Sequence, residues 1–180
     1  MDEKDHSIFR FMELPDYVTL LGGISSILAV MSAVNQAFVP ASMLLILSVF
    51  CDYFDGKIAR RMNRKNTRFG ETLDSVVDAV SFAAAPVFFG YSLGMRSPAL
   101  VKVLLLFVSG CLLRLARFSC IKTEKGHFIG MPVTYNNLIF PAAYLLMHFF
   151  KLEKFLIPAF TFLFLSSTVL MTSRIKWRKF

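Results

Sequence analysis

Five acidic residues stand in or beside apolar stretches, Asp52, Asp55, Glu71, Asp74 and Asp78. An isolated carboxylate at the centre of a membrane-spanning helix costs about 2.5–3.5 kcal/mol, so each needs a partner or a task. From Asp52, the residues Asp55, Gly56, Ala59 and Arg60 follow at offsets of 3, 4, 7 and 8, one stripe on a helix. From Gly70, Asp74, Asp78, Ser81 and Ala85 follow at 4, 8, 11 and 15, again one stripe. If the two helices are antiparallel neighbours, Gly56 and Ala59 allow close backbone approach and the four aspartates converge. Carboxylates so crowded repel one another and must be neutralised by protons, basic side chains or metal ions. Mg²⁺ or Mn²⁺ suits an all-oxygen site, and two such ions form the clamp used in phosphoryl displacement. Glu71 is expected to cap or support the start of its helix, at the positive end of the dipole.

The elements that must carry these residues are apolar. Of 180 residues, 56% are hydrophobic and 18% charged, with twenty Phe and nine Met, which excludes a disordered chain and a soluble single domain. Six spans of about the length a bilayer requires are predicted, at 17–33, 38–60, 70–91, 99–118, 134–150 and 155–173. No removable signal peptide is evident, so the first span is expected to be a retained anchor. The fold class is all-α, a polytopic membrane protein: an N-terminal cytoplasmic or interfacial segment over 1–14, where Phe9 to Phe11 suggest a short surface helix and a disordered tail is the alternative, one membrane domain over 15–174, and a basic tail over 175–180.

Sixteen of the twenty Lys and Arg fall on one side of alternating spans, against Arg96, Lys151 and Lys154 on the other, with Lys102 near the start of the fourth span. Both termini are therefore expected in the cytoplasm, and the net charge of +8 reflects topology and anionic headgroups rather than nucleic acid. Asp52 lies roughly 21 Å along its helix from Phe38, about 9 Å short of the far side of the hydrocarbon core, so the site faces the cytoplasm. Arg60, Arg61, Arg64, Lys65 and Arg68 surround its mouth, positioned to hold a pyrophosphate or to anchor the loop. Short turns on the other side argue against a receptor. Cys51, Cys111 and Cys120 support neither a disulfide framework nor a zinc site.

Written out, Asp52-Tyr-Phe-Asp55-Gly56-Lys-Ile-Ala59-Arg60, nine residues, then Gly70-Glu-Thr-Leu-Asp74-Ser-Val-Val-Asp78 resembles the signature of the CDP-alcohol phosphotransferases. That family usually has eight residues in the gap, so a longer hydrophilic turn with preserved site geometry is expected. The resemblance implies the six-span layout, two divalent ions, Mg²⁺ or Mn²⁺, held by Asp52, Asp55, Asp74 and Asp78, and Asp78 as the base that deprotonates the acceptor hydroxyl. It further implies that a CDP-activated lipid binds beside Thr19, Gly56, Ala59, Arg60 and Gly70, and that the protein is a homodimer. Pro15-Asp-Tyr-Val-Thr19 is similar to the family's Pro-Asn-x-x-Thr, with Asp16 in place of Asn.

Asp74-Ser-Val-Val-Asp78-Ala-Val-Ser81-Phe-Ala-Ala-Ala-Pro86, Arg114-Leu-Ala-Arg117-Phe118 and Phe128-Ile-Gly130-Met-Pro132 resemble the phosphatidylserine synthase branch. The implied reaction joins a phosphatidyl group from CDP-diacylglycerol to L-serine and releases CMP at the cytoplasmic membrane. Serine carries a carboxylate that Arg114 or Arg117 is suited to hold, and an amine that Asn136 or Asn137 is suited to bind; marking the membrane boundary is the plainer role for the two arginines. Glycerol phosphate, inositol phosphate or choline are alternative acceptors, and a divalent-cation transporter is the alternative of another class. His127 and His148 read as interfacial polar residues, and Phe88, Phe89, Phe149 and Phe150 as lipid contact and packing.

Overall fold

In the computed structural model the described residues are 11–62, 67–120, 127–173 and 176–178. The surface helix proposed near Phe9 and the lengthened turn, at 63–66, lie outside them. The described chain is helical: α1 (Leu14–Val34), α2 (Phe38–Arg61), α3 (Thr67–Asp78), a π-helical segment (Ala79–Ala84), α4 (Ala85–Ser92), α5 (Pro98–Cys120), α6 (Asn136–Phe149) and α7 (Leu156–Thr172). Two three-residue strands, β1 (His127–Ile129) and β2 (Lys176–Arg178), pair antiparallel with Phe128 opposite Trp177. The sequence pattern does not foretell this ribbon, which joins the chain after α5 to the C-terminal segment.

Among the described residues, five stretches are long and apolar enough to cross a membrane: Leu14–Val34, Phe38–Arg61, Arg68–Ser92, Pro98–Cys120 and Glu153–Thr172. Leu113, Phe149 and Phe162 are each more than half exposed, as the lipid-facing surface of a membrane-integral protein requires. The remaining helix, α6, has only 14 residues, with a 3₁₀ turn (Val133–Tyr135) before it and Pro141 inside it. At 1.5 Å per residue it covers about 21 Å, less than the predicted fifth span.

The interior is aromatic. Phe107, Phe140, Phe160 and Phe164 are completely buried, and the Phe164 ring lies 4.4 Å from Phe140 and 4.9 Å from Phe107 between centroids. Phe89 joins this core, whereas Phe88, Phe149 and Phe150 face outward. His148 stacks on Tyr144 and lies 3.4 Å from Glu153, a surface arrangement in keeping with its interfacial reading. The three cysteines are free.

The element that gathers the acidic helices is α1. It packs along α2 and also against α3 and α4. Consecutive helical residues point about 100° apart, so Gly22 and Gly23 serve two neighbours. A Cβ on Gly22 would fall 3.0 Å from Cys51 Cβ on α2, and one on Gly23 would fall 3.1 Å from Val77 Cγ1 on α3. The sequence-based expectation that Gly56 and Ala59 let α2 and α3 touch is corrected here. These two helices are not among the closely packed pairs, and a Cβ on Gly56 would meet nothing within 4 Å.

Substitution at these glycines separates the two roles. Gly23→Leu is expected to lower the thermal midpoint in detergent, because overpacking costs about 1–3 kcal/mol. Gly56→Ala, which meets no neighbour and gains helix propensity of up to about 1 kcal/mol, should leave the midpoint unchanged or raise it, and thermal unfolding followed by fluorescence distinguishes the two.

Candidate active site

The α3 stripe brings Asp74 and Asp78 one turn apart, and α2 presents Asp52 to them. One carboxylate oxygen from each of Asp52, Asp74 and Asp78 lies within 4.8 Å of the other two. Asp55, one turn after Asp52, is only 5% exposed and accepts a 2.6 Å hydrogen bond at Oδ2 from the Thr19 hydroxyl of α1. Thr19 Oγ1 is also 3.1 Å from the Pro15 carbonyl, but it has one proton to give and the carboxylate is nearer. Oxygen donors so clustered fit a hard divalent cation, since their mutual repulsion is relieved by positive charge.

A cavity and a smaller recess are among the concavities that open from the carboxylates. The larger, about 230 Å³, has Asp52, Asp55, Asp74 and Asp78 with Gly56 and Arg60 on one wall. Arg114, Leu115 and Phe118 of α5, together with Pro132, Val133 and Thr134, form the other wall. A smaller recess of about 70 Å³ is lined by Thr19, Asp55, Gly56, Ala59, Gly70, Glu71 and Asp74. The open space beside Gly56 therefore belongs to the cavities. Its missing side chain leaves room for a ligand rather than for a helix.

Arg114 is 7% exposed, its guanidinium carbon sits 5.7 Å from the Phe118 ring centroid, and its Nε has no hydrogen-bond partner among the described residues. A buried guanidinium donor on a cavity wall facing aspartates is suited to an anionic group entering between them.

Other residues expected at the site are elsewhere. Arg117 donates from Nη2 to the Met171 carbonyl at 3.2 Å, which ties α5 to the end of α7. Asn136 and Asn137 are fully buried and absent from the cavity walls; Asn136 Nδ2 is 3.3 Å from Met171 Sδ, and Asn137 reaches Ser48 and Ser81. Asp16 is engaged in a reciprocal cap at the start of α1, where its Oδ2 accepts the Glu13 N–H at 2.8 Å. Glu71 lies beyond the first turn of α3 and lines the small recess, so it does not cap that helix. The side chain of His127 lies outside the described residues.

Residues 12–174 match the family model described as CDP-alcohol phosphatidyltransferase. Among similar proteins is an archaetidylserine synthase of Methanothermobacter thermautotrophicus, 28% identical over 97% of this chain and 73% of its own length. Another is a CDP-diacylglycerol–serine O-phosphatidyltransferase of Methanocaldococcus jannaschii, 35% identical over 74% of this chain and 61% of its own. The enzyme of the same description in Saccharomyces cerevisiae is 33% identical over 66% of this chain, which spans 45% of the yeast protein. The chain thus spans less than two thirds of the length of two of these three relatives.

The Thr19–Asp55 contact is testable through stability. A hydrogen bond to a charged group contributes about 1.5–3 kcal/mol, so Thr19→Val is expected to destabilise the folded protein by that order. Thr19→Ser, which keeps the hydroxyl, should lose far less; thermal midpoints of the two variants in one detergent decide it.

Proposed function

Since the chain belongs to the CDP-alcohol phosphatidyltransferase family, we propose that it transfers a phosphatidyl group from a CDP-activated lipid to L-serine and releases CMP. The observation that carries this reading is the opening of the Asp52, Asp74 and Asp78 carboxylates into the same cavity as Arg114. The serine enzymes among the relatives support the acceptor.

In this reading the serine hydroxyl attacks the phosphorus that bears the lipid. Asp78 takes the hydroxyl proton, the new oxygen–phosphorus bond forms, and the bond to the CMP phosphate breaks. Arg114 holds the serine carboxylate opposite the aspartates, and Arg60 faces the diphosphate at the mouth. Cytidine lies in the small recess beside Thr19, Gly56, Ala59 and Gly70, where the absence of large side chains leaves it space. Asp52, Asp55, Asp74 and Asp78 hold two Mg²⁺ or Mn²⁺ ions. Such ions, when bound, neutralise the charge of the diphosphate and of the leaving CMP. Arg117, Asn136 and Asn137 serve the frame around the acceptor.

The bundle crosses the cell membrane six times over 15–174, with α6 as the fifth crossing, and segments 1–14 and 175–180 flank it. Both termini and the site face the cytoplasm, supported by the one-sided distribution of Lys and Arg. A homodimer is the expected assembly. Lipid tails enter laterally between helices.

CMP release in detergent micelles with Mg²⁺ or Mn²⁺, using CDP-diacylglycerol and a dialkyl ether CDP-lipid as donors, tests the reaction. Serine-dependent release is expected, and chelation should stop it. Asp78→Asn should lower turnover by at least about 100-fold, the contribution of a positioned base. Arg114→Leu should raise the serine KM by more than about tenfold, as loss of a charged hydrogen bond predicts, with little change in the KM for the lipid. Release with another alcohol but not serine overturns the acceptor and leaves the chemistry standing.

A further inference from the structure

The helix that carries Asp74 and Asp78 changes register directly after Asp78. Through Ala79–Ala84 the backbone is π-helical, and the Ala85 N–H bonds the Val80 carbonyl five residues back. The next donor in that spacing belongs to residue 86, and its acceptor is the Ser81 carbonyl. Residue 86 is proline, which has no N–H, so the helix itself cannot satisfy Ser81. In the buried interior an unmet carbonyl is costly.

Asn137 supplies the missing donor. Its Nδ2 lies 2.8 Å from the Ser81 carbonyl and 3.0 Å from Ser48 Oγ on α2. Ser48 donates its own proton to the Leu45 carbonyl at 2.7 Å, so it accepts from Asn137. Both partners are acceptors, which fixes the amide orientation with the NH₂ toward them. Asn137 is itself 0% exposed.

The two tethered positions are placed to matter. Ser48 is one turn before Asp52, and Ser81 is three residues after Asp78. Ser48, Ser81, Asp52 and Asp78 share the wall of one void of about 10 Å³. The amide of Asn137 thus links the two acidic helices directly behind the carboxylates. It does so from α6, which carries no acidic residue of the cluster and no part of the cavity wall.

We propose that Asn137 is a positioning residue: its amide replaces the N–H that Pro86 lacks, locks the π segment against α2, and so sets the spacing between Asp52 and Asp78 for divalent cation binding. The role rests on the carboxylate reading above and adds a residue that touches neither ion nor substrate.

The test is Mn²⁺ titration of purified protein in detergent, read by electron paramagnetic resonance of the free ion, without substrates. Asn137→Leu, which keeps the volume and removes both donors, is expected to weaken Mn²⁺ binding about tenfold, the lower end of losses from outer supports of a metal site. Adding Pro86→Ala to that variant returns a backbone N–H to position 86 and should restore at least about a third of the lost affinity. Wild-type affinity in Asn137→Leu, whether or not its thermal midpoint falls, overturns the assignment, and so does a loss that Pro86→Ala leaves untouched. A wild type that binds no Mn²⁺ overturns the carboxylate reading and this one with it.

Discussion

The governing constraint is the gathering of four carboxylates inside an apolar bundle. Like charges that close raise one another's energy, and removal from water raises it further. A pair of helices carrying them has no reason to approach on that account. The packing that holds them is supplied by a third element, α1, through Gly22 against α2 and Gly23 against α3. Apolar and small-residue contact along α1 thus opposes the electrostatic repulsion, and the same helix delivers Thr19 to Asp55. With α1 on one side of the two acidic helices, their carboxylates open toward the cavity whose far wall is α5 and the Pro132 turn.

Much of this arrangement is legible in the sequence, and the parts that are not have physical reasons. The aspartate stripes are readable because a carboxylate repeated at helical period in an apolar run is too costly to keep unless its members act together. The role of Gly56 is not, because a glycine that admits a backbone and one that leaves a void look identical in a sequence; only the neighbours distinguish them. Gly22 and Gly23 carry a usable signal, a small-residue pair amid bulky apolar residues, whose two directions become meaningful once both flanking helices are known. Asn136 and Asn137 read as ligand residues because an amide suits the amine of serine. Their burial is not legible because the groups they meet, Met171, Ser48 and Ser81, lie far away in sequence.

The site wall opposite the carboxylates comes from less regular structure. Pro132, Val133 and Thr134 lie where the chain leaves an extended stretch and enters a 3₁₀ turn, and Gly130 just before them has a φ of +78°. A turn of that hand favours glycine, and the Arg117 guanidinium and the Met171 carbonyl crowd the same point. The wall's position is thereby tied to α5 and α7, while its 3₁₀ turn also packs against α2 and the π segment.

These two halves also differ in the order of their making. Chains leave the ribosome from the N-terminus and their early parts begin to organise first. All four aspartates, Thr19, Gly22 and Gly23 lie within the first 78 residues, so their mutual contacts close short loops. Arg114, the Pro132 turn and Asn137 arrive later in synthesis. Any contact formed among the aspartates during that interval forms with neither the facing arginine nor the amide tether behind it. Contacts among the aspartates and α1 therefore need nothing from the later half of the sequence, whereas the wall and the tether are completed only by residues that follow.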